Sequence, residues 1–182
     1  MNDIGEASAF AGKTNFTEAC GVPLDPVPLE PYRSQAFFEK TRDRVFGRSW
    51  LLVGRVEEVP EYGDFIVRRI QPHNVSTLIV RGKDGRVRAF YNSCPHRGSE
   101  VTTADCGNRK RIVCPYHNWT FSSDGALINI PDEASFFNVD KATCGLTPMS
   151  FDIWEGWMFI NLQKEPEVSL ETFLGSFGDH LK

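Results

Sequence analysis

The sequence predicts a mainly β chain of antiparallel sheets with short helices near the N- and C-termini. Three observations carry this expectation. From Trp50 onward the apolar residues fall in short strand-length runs, turn residues separate those runs, and helical periodicity is confined to the two ends. The chain has 182 residues and 41% hydrophobic content, which suits one domain able to build a core without disulfides.

Residues 1–33 contain Pro23, Pro26, Pro28 and Pro31, show little periodicity and read as an extended N-terminal arm. Ser34 is an expected N-cap. The segment from Gln35 to Phe46 places Phe37, Phe38, Val45 and Phe46 near one stripe, so an amphipathic helix packed on the domain is expected, ended by Gly47. Strands follow in WLLVGRV, FIVRRI, VSTLIVRG and RVRAFYN, with turns at Tyr62-Gly63-Asp64 and Lys83-Asp84-Gly85. After a loop-rich stretch, RIVC, WTF, ALINI and WMFINL resume the pattern, with Asp124-Gly125 as a hairpin turn. Ser169 then starts a helix from Leu170 to Phe177. The expected organisation is an arm at 1–33, a domain at 34–165 and a terminal helix at 166–182.

The net charge of −4 conceals a segregation. Residues 65–118 carry 10 Lys/Arg against 3 Asp/Glu, whereas the flanks are acidic. Nucleic-acid binding is not expected, because interleaved aromatics and a compact basic stripe are lacking and the flanks repel phosphate. Arg68, Arg69, Arg81, Lys83, Arg86 and Arg88 read as solvated strand faces, with a docking surface for an acidic protein as the rival reading. No membrane partner is expected, since the longest apolar runs are four residues. The N-terminus lacks a secretory pattern, so a reducing cytoplasm is the expected location.

The chemistry concentrates in SCPHRGSE and VCPYHNWTF. Cys94 and His96, then Cys114 and His117, give the spacing C-x-H-x17-C-x2-H, each pair in a Pro-containing loop (94–99 and 114–119) after a strand-like segment. Two thiolates and two imidazoles side by side suit tetrahedral zinc or an iron–sulfur cluster in which two histidines replace two cysteines on one iron. The ligand set does not choose between them. Cys20, Cys106 and Cys144 lack a paired His and read as free thiols; His73 and His180 read as solvated, and Trp119, Trp154 and Trp157 as core anchors.

The motif resembles the Rieske [2Fe–2S] family. More narrowly, CPHRG, CPYHNW, FGRSWLLVGRVEEVPEYGDF, VRAFYNSCPHRG and GWMFINL resemble the Rieske domain of the large (α) subunit of bacterial aromatic-ring-hydroxylating oxygenases. Asn118 departs from the glycine common there. The resemblance implies a Rieske-type fold in which Cys94 and Cys114 bind the inner iron and His96 and His117 the outer one. It implies a one-electron relay fed from NADH by a ferredoxin or a flavin/iron–sulfur reductase and serving a mononuclear Fe(II). Further partners implied are the catalytic domain of the same or an adjacent α subunit and, optionally, a β subunit.

That iron needs two His and a carboxylate. After His117 the chain offers only His180, so it is expected to be the front part of a larger protein whose catalytic domain lies elsewhere. A stand-alone Rieske ferredoxin and a zinc-stabilised binding module are the competing readings. Respiratory Rieske proteins carry hydroxyls where Trp119 and Phe121 stand here, so fewer donors reach sulfur. The potential is therefore expected in the low half of a range of about −150 to +300 mV.

Overall fold

The computed structural model describes Gly21, Pro26 and residues 28–136 and 139–182. It divides into two compact units, residues 1–38 and 39–182. Most of the expected arm, and Cys20 with it, lies outside the described residues. Where the arm ends, Glu30–Arg33 forms one α-helical turn, α1, rather than extended chain. Pro31 is compatible with it because a first-turn residue needs no intrahelical N–H bond.

The helix expected over residues 35–46 is split. Gln35–Thr41 is α-helical (α2) and Arg42–Phe46 continues as a π-helix that Gly47 closes. Within the second unit, Val45 and Phe46 of the π-helical part are exposed.

Among the described residues of the larger unit ten strands form three antiparallel sheets. β1 (Leu51–Arg55), β10 (Trp157–Asn161) and β9 (Ser150–Trp154) make one, in that order. β4 (Val87–Tyr91), β3 (Val75–Arg81), β2 (Asp64–Ile70) and β5 (Cys106–Asn108) make the central one. β6 (Arg111–Val113), β7 (Thr120–Ser122) and β8 (Leu127–Asn129) make the third. β5 and β9 are not evident in the sequence. β5 is a Cys-Gly-Asn segment that becomes a strand by pairing with Asp64–Ile66 of β2. β9 is joined to β10 by Glu155 and Gly156, both at positive φ, a two-residue turn whose twist matches an antiparallel hairpin.

The central sheet is covered on both faces, which is why FIV and LIV run without polar interruption. Alternation divides them. Phe65, Val67, Leu78, Val80 and Phe90 face the third sheet and pack with Ile112, Phe121 and Leu127. Ile66, Ile79 and Ala89 face the opposite way and pack with Val53, Met158 and Ile160 of the first sheet. The outer face of that sheet is closed by Trp50, Phe159, Leu170 and Leu174. Each fully buried aliphatic or Phe side chain contributes about 1.5–3 kcal/mol.

The C-terminal helix is shorter than expected. α3 spans Leu170–Leu174, capped by the Ser169 hydroxyl, which accepts from Thr172 N. Gly175 at φ 50 stops it, and Gly175–Leu181 continues as a 3-10 helix.

Four of the arginines expected on solvated strand faces also make hydrogen bonds there, whereas Lys83 and Arg86 are exposed. Arg68 donates to the Val53 and Val67 carbonyls and to Glu58, Arg81 to the carbonyls of Val56, Val59 and Gly85, and Arg88 to Asp84 at 2.6 Å. Arg69 makes a two-pronged bond to Glu100, at 2.6 and 3.1 Å. Arg68, Arg69, Arg81 and Arg88 thus help to fasten the central sheet and its turns. Among the described residues no helix is long and apolar enough to cross a membrane.

Candidate metal centre

Two loops carry the four ligand candidates, and their backbones close in the same way. In the first, Cys94 N donates to Ser99 O at 2.7 Å and Gly98 N donates back to Cys94 O at 2.8 Å. In the second, Cys114 N donates to Trp119 O at 2.9 Å and Asn118 N donates back to Cys114 O at 2.9 Å. The residue four positions after each Cys sits at positive φ, Gly98 at 73° and Asn118 at 58°. Asn118 therefore stands where left-handed backbone is required, and asparagine is among the few non-glycine residues that tolerate it.

The loops bring the cysteines together inside and the histidines together outside. Cys94 and Cys114 are 2% and 1% exposed and in mutual contact. His96 and His117 are half-buried, with ring centroids 4.7 Å apart and ring planes at 68°. Among the described residues no three or more His, Cys, Asp or Glu side chains converge as they would on a single ion. The donor set is two buried thiols and two half-buried imidazoles, which suits a metal centre of mixed sulfur and nitrogen ligation.

The electrostatics agree with that use. Burial pushes the Cys94 thiol up to about 11, with Cys114 adding to the rise, while the backbone N–H groups of His96 and Arg97 donate to its sulfur and pull the other way. In the absence of a metal the thiol holds its proton, and binding would release it. The His96 imidazole is held below its ordinary value, first by burial and then by the neighbouring His117 and Arg97, which keeps it in the neutral form that ligates. One further buried donor near the loops, the Trp119 indole N–H, has no partner among the described residues. Inward thiols, a neutral His96 imidazole and an unspent indole N–H fit a cluster of irons and acceptor sulfides.

Several supporting residues carried no signal in the sequence. Asn92, 2% exposed, spends its whole amide. Its Nδ2 donates to Ser76 Oγ at 3.0 Å and Thr102 O at 2.9 Å, and its Oδ1 accepts from Val101 N and Thr102 N, both at 3.2 Å. This ties the strand entering the first loop to the chain leaving it. Glu100, just beyond that loop, is the partner of Arg69 on β2. Phe136 stands edge-on to His96 at 5.7 Å and to Trp119 at 5.8 Å. Asparagine two residues before a ligand, or a phenylalanine far along the chain, becomes meaningful only when the loops are brought together.

The other candidates remain apart. Cys106 is an exposed free thiol, Cys144 a half-buried one, and His180 is exposed. His73 departs from expectation, because it is half-buried beside the π-helix and its buried Nδ1 has no partner among the described residues. Trp119 is a core residue as expected but also stacks on His96, whereas Trp154 and Trp157 belong to the first sheet. An apolar cavity of about 480 Å³ bounded by Leu52, Phe159, Phe173 and Phe177 lies on that sheet and holds no metal-ligating or titratable side chain.

Comparison with known proteins agrees with this geometry. Residues 49–146 match the family model of the Rieske [2Fe–2S] domain. The α subunit of biphenyl 2,3-dioxygenase from Rhodococcus jostii is 35% identical over 159 residues, covering 84% of this chain and 34% of that protein. The oxygenase subunit of carnitine monooxygenase from Acinetobacter baumannii is 35% identical over 150 residues, covering 82% and 40%. Among solved structures, naphthalene 1,2-dioxygenase from a Rhodococcus species bound to indole superposes with a TM-score of 0.79 at 31% identity, covering 85% of this chain and 35% of that one. The chain thus spans between a third and two-fifths of the length of the curated relatives it matches. With both ligand loops inside the matched segment and the fold shared across it, the chain belongs to the Rieske [2Fe–2S] domain family.

Proposed function

We propose that Cys94, His96, Cys114 and His117 hold a [2Fe–2S] cluster, and that the chain is the one-electron-transfer domain of a ring-hydroxylating oxygenase α subunit. The observation that carries this reading is the pairing of two identically closed loops that bury both thiols and leave both imidazoles half-open to solvent. When bound, the cluster supplies reversible storage of one electron. The chain's own residues do the rest. Cys94 and Cys114 anchor the inner side in a water-free core, and the N–H groups of His96 and Arg97 stabilise negative charge on the Cys94 sulfur. His96 and His117 would hold the outer side, where both side chains are half-open to solvent.

In this reading the electrons originate at NADH and arrive through a ferredoxin or a flavin/iron–sulfur reductase. They serve a mononuclear iron on a catalytic domain of the same or an adjacent subunit. These 182 residues do not supply that iron's ligands, since His180 is the one histidine after His117. The likeness to biphenyl and naphthalene dioxygenases supports ring hydroxylation. The equal identity to a carnitine monooxygenase subunit supports a second reading, in which the same electron-entry role serves a monooxygenase. The cytoplasm is the compartment that suits free thiols such as Cys106 and Cys144.

The test is loading of the chain with iron and sulfide. Two irons and two sulfides per chain are expected, lost in each of Cys94→Ser, His96→Ala, Cys114→Ser and His117→Ala and kept in Cys106→Ser and Cys144→Ser. Full two-iron loading in both histidine variants would overturn the ligand assignment.

A further inference from the structure

Three buried side-chain polar atoms lack a partner among the described residues: His73 Nδ1, Gln163 Oε1 and Trp119 Nε1. Only the last belongs to the shell of the ligand loops. Other indoles of the fold do find acceptors, Trp50 Nε1 at Val168 O (3.0 Å) and Trp154 Nε1 at Gly178 O (2.9 Å). Leaving a buried donor unmatched costs about 1–3 kcal/mol, so such a group calls for a reason.

The position of Trp119 is closely determined. Its carbonyl accepts from Cys114 N at 2.9 Å, which fixes its backbone to a ligand candidate. Its side chain shares the buried core of Cys94 and Cys114. Its ring lies flat on the His96 imidazole, with centroids 4.7 Å apart and planes 7° from parallel, and Phe136 braces both rings edge-on. The indole is therefore the plane against which His96 is set, and its N–H is a desolvated donor within the shell.

We propose that Trp119 is a positioning residue for the redox centre: its indole N–H donates to a cluster sulfur while its ring orients the His96 imidazole. The proposal rests on the ligand reading above. A donor to sulfur stabilises the reduced, more negative state, so the N–H raises the potential. Counting only hydroxyls at positions 119 and 121 finds no donor at either place; the structure provides one at 119 from a residue type that reads as a core anchor.

The experiment compares the cluster-loaded chain with Trp119→Phe and Trp119→Leu by spectroelectrochemical titration, with iron content and reduced-state EPR as loading controls. Trp119→Phe keeps a ring against His96 and removes the N–H. Its equilibrium constant for electron uptake should fall roughly tenfold, a potential about 59 mV lower for one electron. Trp119→Leu should show the same fall and, having lost the plane behind His96, a changed EPR line shape as well. A loaded Trp119→Phe protein whose constant stays within about twofold of the unsubstituted chain would overturn the proposal.

If either variant fails to load, pulsed EPR of the reduced, unsubstituted chain labelled with 15N at the tryptophan indoles decides. A resolved 15N coupling is expected, and its absence would overturn the role. A chain that loads no iron at all would instead refute the ligand reading, so the two failures are distinguishable.

Discussion

Replacing Asn92 by Ala tests how the first ligand loop is held. The side chain makes four hydrogen bonds inside a site where Val101 and Thr102 are 0% and 3% exposed. Truncation leaves the amide N–H groups of Val101 and Thr102 buried with no acceptor, each costing about 1–3 kcal/mol. It also releases the Thr102 carbonyl and opens a small void. The sum is about 3–5 kcal/mol, a large share of the 5–15 kcal/mol typical of a domain. With a urea slope of about 2 kcal/mol per molar, the unfolding midpoint should drop by about 2 M at unchanged slope. The assay is urea unfolding of the loaded chain followed by tryptophan fluorescence, with visible absorbance read in parallel. Because Asn92 joins the entry of the loop to its exit, colour should be lost at lower urea than fluorescence. A midpoint shift under about 0.5 M, with the two signals coincident, would refute the bracing role.

Two other substitutions follow from local geometry. Gly125 sits at φ 88 with the Phe90 ring 2.5 Å from where a Cβ would be, so Gly125→Ala should destabilise by about 2 kcal/mol or more and lower the melting temperature by roughly 4–8 °C; an unchanged melting curve would contradict the packing described. The Arg69 guanidinium holds the Glu100 carboxyl below its ordinary value of 4.5, so the folded chain binds that proton less readily than the unfolded one. Its stabilisation is complete above the ordinary value and is lost as pH falls through it toward the depressed folded value. Glu100→Gln should therefore cost about 0.5–1 kcal/mol at pH 7 and flatten the pH dependence of stability below about pH 5, and an identical slope in both proteins would refute the linkage.

The parts of this molecule legible in its sequence are those with local causes. The apolar runs of β2 and β3 between turn residues announce strands, and C-x-H with C-x2-H announces two ligand loops because each pair is set by a single turn. Asn118 is legible only as a departure from a family pattern, and its φ of 58° supplies the reason that asparagine serves there. What stayed hidden depends on long-range partners. β5 is a strand through its pairing with β2, and Arg69 is a fastener through Glu100, 31 positions away. The amphipathic pattern of residues 35–46 pointed to one helix, yet the structure winds the second half as a π-helix. Trp119 illustrates the same limit at the candidate site, since no local pattern shows that its ring lies on His96.

The central claim is that four residues on two loops hold a two-iron centre with mixed sulfur and nitrogen ligation. EPR of the dithionite-reduced chain, grown with 15N-histidine and with natural-abundance histidine, tests it most directly. The account predicts a red-brown protein whose reduced signal has a lower average g than an all-cysteine [2Fe–2S] centre, with coupling to two imidazole nitrogens that changes on labelling and is halved when either His96 or His117 is replaced by Cys. A colourless chain carrying one zinc and no EPR signal, or a signal without histidine nitrogen coupling, would contradict it.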